Sequence, residues 1–297
     1  MSRFRTWLQL FRAPNLFTVP GDPLAGYIVT NGFQTSWGVA LPILASLCFY
    51  GAGLLMNDLA DEAEDSRERP QRPLPSGAAT RGSVRIVMIA LILGGLGVLS
   101  LTRHSPALIL GGTLVLAMAL YNLVTKGWPI VGALNMGACR ALSVAVGAVS
   151  GPLPSQVQSP ATIIAILFGV YIAAVTNLAR HETRDHVPVL ARLLPIVPVT
   201  LFALIGSALA LQAPARTPVV FILALAVGSA WWLVVKMFRN PKPPLPPLIG
   251  AHIRVMLPLQ AATCYLGDPW DAGRIAAILL LACWPLSRVV SRRFYAS

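Results

Sequence analysis

Asn57-Asp58-Leu59-Ala60-Asp61-Glu62-Ala63-Glu64-Asp65, at the end of the apolar run 38–57, is the stretch on which the rest of the chain turns. Six of the eleven acidic residues lie between Asp58 and Glu68, in a sequence of 297 residues that is 56% apolar and 11% charged. Soluble domains carry about 25% charged residues, so the composition excludes a soluble enzyme of this length. Outward from the acidic window, apolar segments follow one another at about 14–32, 38–57, 84–102, 106–124, 129–149, 161–179, 190–211, 217–237, 248–266 and 272–290. Each is close to the ~20 residues that cross hydrocarbon as a helix, which predicts an all-α polytopic membrane protein of nine or ten spans. The first and ninth carry interior prolines and polar residues, and are expected to be broken or interfacial.

The 23 Lys and Arg residues test the topology. With a cytoplasmic N-terminus and ten crossings, 18 fall inside, only Arg103, Arg216 and Arg274 fall outside, and Arg140 and Arg254 lie within spans. The positive-inside rule therefore favours an even count or a re-entrant ninth segment, with the acidic window cytoplasmic. Arg3, Arg5 and Arg12 resemble a signal-peptide n-region, but Pro20-Gly21-Asp22-Pro23 interrupts the following run, so an uncleaved first helix is expected. Cys48, Cys139, Cys264 and Cys283 form no C-x-x-C pair and read as packing residues. The positive excess is mostly topological, and no nucleic-acid partner is expected.

Asp58, Asp61 and Asp65 are spaced i, i+3, i+7 and project from one helical face. Carboxylates this close repel unless a cation neutralises them, and hard oxygen donors without His or Cys favour Mg²⁺ shared with phosphate. Arg67-Glu68-Arg69-Pro70-Gln71-Arg72-Pro73-Leu74-Pro75-Ser76-Gly77 follows, its prolines forbidding regular helix and its arginines placed to reach back over the acids. Arginine holds phosphate oxygens bidentately, so carboxylates followed by arginines have the composition of a diphosphate site. A solvated acidic loop and purely topogenic arginines are the alternatives.

The pattern Asn57-Asp58-x-x-Asp61-x-x-x-Asp65 with Arg69-Pro70-x-Arg72-Pro73 resembles the first signature of the UbiA superfamily of intramembrane prenyltransferases. The resemblance implies one integral-membrane domain over 1–297, a bundle of helices around a central cavity, with the first motif loop at 57–82. The second, Asp-rich signature is degenerate at 177–186, where Asn177-Leu178-Ala179-Arg180-His181-Glu182-Thr183-Arg184-Asp185 puts His181 at its first aspartate and keeps Asp185. Val19-Pro20-Gly21-Asp22 and residues 176–182 further resemble the UbiA-like subgroup of bacterial ebo-type gene clusters.

By resemblance, the activity is Mg²⁺-dependent transfer of an isoprenyl group from an allylic (poly)prenyl diphosphate to a small acceptor, with release of pyrophosphate. Asp58, Asp61 and Asp65 are then metal ligands, and Glu182 and Asp185 hold a second ion if one is present. Asn57, Arg69, Arg72, Lys126 and Arg180 bind diphosphate, while Asp22, Tyr121, Asn122, Asn135, Arg140, Tyr171, Asn177 and His181 line the acceptor side. Arg140 is also a functional candidate in its own right, because an intramembrane arginine is costly. The expected partners are a prenyl diphosphate, an acceptor of unknown class and membrane lipid, in a bacterial inner (cytoplasmic) membrane. Two other readings stay open: a catalytically degenerate lipid-binding, scaffold or transport-associated relative, and a secondary transporter with charges at broken helices.

Overall fold

The computed structural model describes residues 3–32, 36–152, 158–182, 186–211, 216–240, 243–268, 270 and 272–291. Its elements are helical throughout: α1 (Arg3–Leu10), α2 (Gly21–Asn31), α3 (Ser36–Ala60), α4 (Glu62–Glu68), α5 (Arg81–Ser100), α6 (Ser105–Leu123), α7 (Pro129–Val149), α8 (Gln158–Ala179), α9 (Val189–Leu193), α10 (Ile196–Leu211), α11 (Arg216–Arg239), α12 (Leu245–Gly267) and α13 (Ala272–Ser291). Eight helical segments among the described residues are long and apolar enough to cross a membrane. Their outer faces are apolar too: α5 exposes Ile86, Ile89 and Leu93, and α11 exposes Phe221 and Trp232. Such a girdle would make a water-soluble protein aggregate, and it is the surface a helix presents to lipid.

The first predicted span is broken, as its prolines suggested. Residues 13–18 form a 3-10 turn and the α-helix restarts only after Pro20. The ninth is not broken. α12 runs unbroken through Pro258, because it lies among α2, α8, α11 and α13 and most of its residues, Val255 to Cys264 without exception, are buried. A proline inside a membrane helix is tolerated where neighbouring helices satisfy the freed backbone. α12 is long enough to span, but His252, Arg254 and Gln260 leave it less apolar than the other eight.

α2 occupies the middle of the bundle, packed on α7, α12, α3 and α8. Its approach to α7 is backbone on backbone: a Cβ at Gly26 would run into the carbonyl of Val144, and one at Gly147 into the carbonyl of Pro23. Small residues let membrane helices come this close. Gly147→Ala is therefore expected to cost about 1–3 kcal/mol, the usual penalty of overpacking, read by thermal unfolding in detergent. A variant as stable as the wild type would contradict the close crossing.

Three apolar clusters hold the arrangement. The largest unites α2, α8, α10, α11 and α12 around Phe168, Tyr171, Leu178 and Met256. A second surrounds Phe49 between α3, α5, α6 and α7. The third, Leu10, Leu55, Leu74 and Val84, pins the proline-rich loop onto α1, α3 and α5, and so positions its arginines.

Candidate active site

A cavity of about 400 Å³ opens where α3 ends and reaches inward between α2, α3, α6, α7, α8 and α12. Its mouth carries Arg12, Asn57, Asp61, Arg69, Arg72, Lys126 and Glu182. Its inner end carries Asn15, Thr18, Asp22, Ser46, Tyr50, Arg140 and Ser143. Between them the walls are apolar, with Phe49, Leu54, Leu114, Met118, Ile172, Val175, Ile249 and Ile253. Ser46 precedes Asn57 by eleven residues on α3, which at 1.5 Å per residue separates floor from mouth by about 16 Å.

The mouth is built from an almost unbroken helix followed by the pinned loop. The amide of Asp61 donates to the Asn57 carbonyl at 2.9 Å and that of Asp65 to the Asp61 carbonyl at 2.8 Å, so the helical ladder crosses from α3 into α4. Asn57 and Asn122 join α3 to α6: the Asn57 amide donates to Asn122 Oδ1 at 3.2 Å, and Asn122 Nδ2 donates to the Met118 carbonyl at 2.9 Å. Of the three aspartates only Asp61 lines the cavity, and it is ion-paired with Lys126. Asp58 turns to Arg12 at 3.6 Å and Asp65 to Arg72 at 2.6 Å. Arg69 reaches across to Glu182 at 3.9 Å, joining the first motif to the second. Among the described residues no three His, Cys, Asp or Glu side chains converge on a common metal position. Asp58, Asp61 and Asp65 are each paired with a different basic side chain, Arg12, Lys126 and Arg72.

The floor is a tie between helices. Arg140 Nε pairs with Asp22 Oδ2 at 2.8 Å, Gln260 Nε2 donates to Asp22 Oδ1 at 2.7 Å, and both Gln260 and Arg140 donate to the Thr18 carbonyl, at 2.8 and 3.2 Å. The carbonyl exists as an acceptor only because the break before α2 leaves it outside the helical ladder. Ser46 and Ser143 hydroxyls share a hydrogen bond of 2.8 Å beside it.

A family model for UbiA prenyltransferases matches residues 23–246, from the floor aspartate's neighbour to the start of α12. The chain belongs to the UbiA prenyltransferase family. It is thus a multi-pass integral-membrane prenyltransferase of the UbiA type. Digeranylgeranylglyceryl phosphate synthase of Natronomonas pharaonis is 28% identical over 187 residues, 62% of this chain and 64% of that protein. The synthase of the same name from Methanopyrus kandleri is 26% identical over 288 residues, 93% of this chain and 94% of that protein. The alignment thus spans just under two thirds of the first relative's length and nearly all of the second's. A UbiA homologue of Archaeoglobus fulgidus, solved with DMAPP and Mg²⁺, matches with a TM-score of 0.60 at 13% identity, over 95% of this chain and 99% of that one. At that identity the likeness speaks for a shared fold.

Within this UbiA bundle the residues singled out by sequence divide by their place relative to the cavity. Asn57, Asp61, Arg69, Arg72, Lys126, Glu182, Asp22, Tyr121, Asn122 and Arg140 are on the cavity wall. Asp58 and Asp65 stand at its rim, held by Arg12 and Arg72. Tyr171 lies outside the wall, fully buried against α12 and donating to the His252 carbonyl at 2.7 Å. Asn135 donates to Thr125 Oγ1 at 3.0 Å, and the His181 ring meets the Asn177 carbonyl at 3.1 Å; Asn135, Asn177, Arg180 and His181 are all off the wall. Asp185 lies outside the described residues.

Arg12 was counted only toward topology in the sequence, yet it lines the cavity and donates to Asn57 Oδ1 at 3.1 Å. Its backbone is left-handed, φ 42° and ψ 59°, a conformation that costs a non-glycine residue about 1–3 kcal/mol and is held only where surroundings enforce it. Tyr50, Ser46, Ser143 and Gln260 were also missed. Each is an uncharged polar residue in an apolar helix, and that isolation is the one sequence signal they carry.

Proposed function

We propose that this protein transfers an isoprenyl group from an allylic (poly)prenyl diphosphate to a small acceptor, in a Mg²⁺-dependent reaction that releases pyrophosphate. The observation that carries the reading is the mouth. Asn57 and Asp61 from α3 and its end, Arg69 and Arg72 from the pinned loop, Lys126 ahead of α7 and Glu182 after α8 meet on one cavity wall. The solution of an Archaeoglobus homologue with DMAPP and Mg²⁺ supports it.

The donor chemistry fits a magnesium ion. Asp61, Asn57 and Glu182 offer only hard oxygen donors to the cavity, and Asp58 and Asp65 stand within a turn or so of Asp61 on the same helical run. Asp58, Asp61 and Asp65 would hold it, with Glu182 and Asp185 the candidates for a second ion. Bound there, the metal neutralises charge that grows on the departing diphosphate. The chain's own residues do the rest. Arg12, Arg72 and Lys126, now paired with Asp58, Asp65 and Asp61, are the cations that would turn to phosphate oxygens. Arg69 and Arg72 orient the diphosphate so that the breaking C–O bond points inward, and its electron pair stays with pyrophosphate. The apolar mid-section keeps water from the allylic carbon while the acceptor's electron pair forms the new bond and its proton leaves with pyrophosphate.

The concentration of 18 of 23 basic residues on one side, counted for ten crossings, supports a cytoplasmic N-terminus, the mouth facing the compartment from which a soluble diphosphate head group arrives, and the ebo-type resemblance supports a bacterial inner membrane. The degenerate second motif, with His181 at the place of its first aspartate, favours a second reading, a relative that binds lipid without turnover. Purified protein incubated with labelled dimethylallyl, geranyl and geranylgeranyl diphosphates plus a membrane and metabolite extract separates the two. Labelled product formed with Mg²⁺ and abolished by EDTA is expected; binding of label without Mg²⁺-dependent product would establish the second reading.

A further inference from the structure

The cavity is charge-matched. Arg12, Arg69, Arg72 and Lys126 at the mouth each face one acid, and Arg140 at the floor faces Asp22. The two ends differ in burial. Lys126 and Arg69 side chains are each 35% exposed, so their pairs exchange readily with an arriving anion. Asp22 is 1% exposed, and both of its oxygens are already held, one by Arg140 and one by Gln260. Among the described residues that line the floor, the cation is Arg140, and it is already paired.

From this geometry we infer that the acceptor bound at the floor is an uncharged, hydroxyl-bearing molecule, and that the Asp22–Arg140 pair excludes carboxylates and phosphates there. The inference rests on reading the mouth as the diphosphate site, which leaves the floor to the second substrate. A guanidinium has five N–H donors; Arg140 donates one to the Thr18 carbonyl, and its Nε is ion-paired with Asp22 without a hydrogen bond. The remaining donors, with the Ser46–Ser143 hydroxyl pair and Tyr50, give the floor hydrogen-bonding capacity without net charge. An uncharged oxygen accepts those N–H groups and loses nothing. A carboxylate or phosphate at the same place sets a second negative charge beside buried Asp22, with one arginine between them. Burying an unmatched charge costs far more than the hydrogen bonds return.

The test splits a total metabolite extract of the source organism, lipids included, on an anion-exchange resin. Each fraction is incubated with purified protein, labelled geranylgeranyl diphosphate and Mg²⁺. Labelled product is expected from the unretained, uncharged fraction at least tenfold above the retained one. Asp22→Asn leaves Arg140 an unmatched cation and is expected to shift that ratio at least tenfold toward the retained fraction. Asp22→Asn/Arg140→Gln keeps the floor uncharged, so it is expected to retain the wild-type preference even where the single variant fails to fold. Product from the retained fraction with wild type overturns the inference, as does a folded Asp22→Asn protein with unchanged preference, or a double variant that shifts. Consumption of the diphosphate with no product from either fraction also overturns it. Absence of any Mg²⁺-dependent consumption defeats the diphosphate reading itself, and the inference with it.

Discussion

Asp61→Asn is expected to lower kcat for prenyl transfer about 10³-fold, by analogy with the 10²–10³ lost when one preorganised charge-stabilising group is removed. The substitution keeps the size of the side chain and one hydrogen-bonding oxygen, and removes only the charge. Asp61 is the aspartate of the first motif that reaches the cavity wall, where it is paired with Lys126. Without its charge the site loses a metal ligand, and Lys126 loses the partner that holds it at the mouth. Asp58→Asn is the informative comparison. Asp58 faces Arg12 at the rim but is a proposed ligand of the same ion, so a comparable loss is expected as it leaves Arg12 for the metal. Pyrophosphate release measured across a Mg²⁺ titration reads both variants. Equal losses in the two would mean that Asp58 swings into the cavity when metal binds; an Asp61→Asn enzyme with wild-type kcat would remove Asp61 from the chemistry.

The second large effect concerns stability. Arg140→Leu is expected to destabilise the protein by about 3–5 kcal/mol, the loss seen when one partner of a buried ion pair is removed. Asp22 has almost no exposure, so deleting Arg140 strands a carboxylate with only the Gln260 amide beside it. The same deletion cuts the link from α7 to the Thr18 carbonyl at the break before α2. Asp22→Asn/Arg140→Gln should recover most of the loss, because neutral amides of similar size refill the space without a stranded charge. Thermal unfolding in detergent, followed by circular dichroism, measures both. An Arg140→Leu protein that unfolds with the wild type would show that the tie carries no stability.

How much of this was legible beforehand follows from the range of the forces involved. Hydropathy and segment length identified the spans, because lipid demands that each crossing satisfy its own backbone hydrogen bonds locally. The spacing of Asn57, Asp61, Arg69 and Arg72 identified the mouth, because those residues sit on one short stretch whose helix and loop are dictated by near neighbours. Prolines warned of breaks, correctly before α2 and incorrectly in α12, where burial among four helices outweighs the missing donor.

What the sequence by itself determined, then, was an all-helical membrane protein with acids and arginines gathered at one end of its second apolar segment. What only the tertiary structure decided was which polar residues share the cavity. Asp22 meets Gln260 across 238 residues of chain, and Arg140 meets Thr18 across 122. Tyr171 and His181, which the sequence placed among cavity residues, turn instead to the His252 and Asn177 carbonyls. Helical periodicity says which residues share a face of one helix, but the rotation of that helix is set by packing against its neighbours. Close glycine contacts such as Gly26 and Gly147 settle that rotation for α2 and α7, and with it which polar groups look inward.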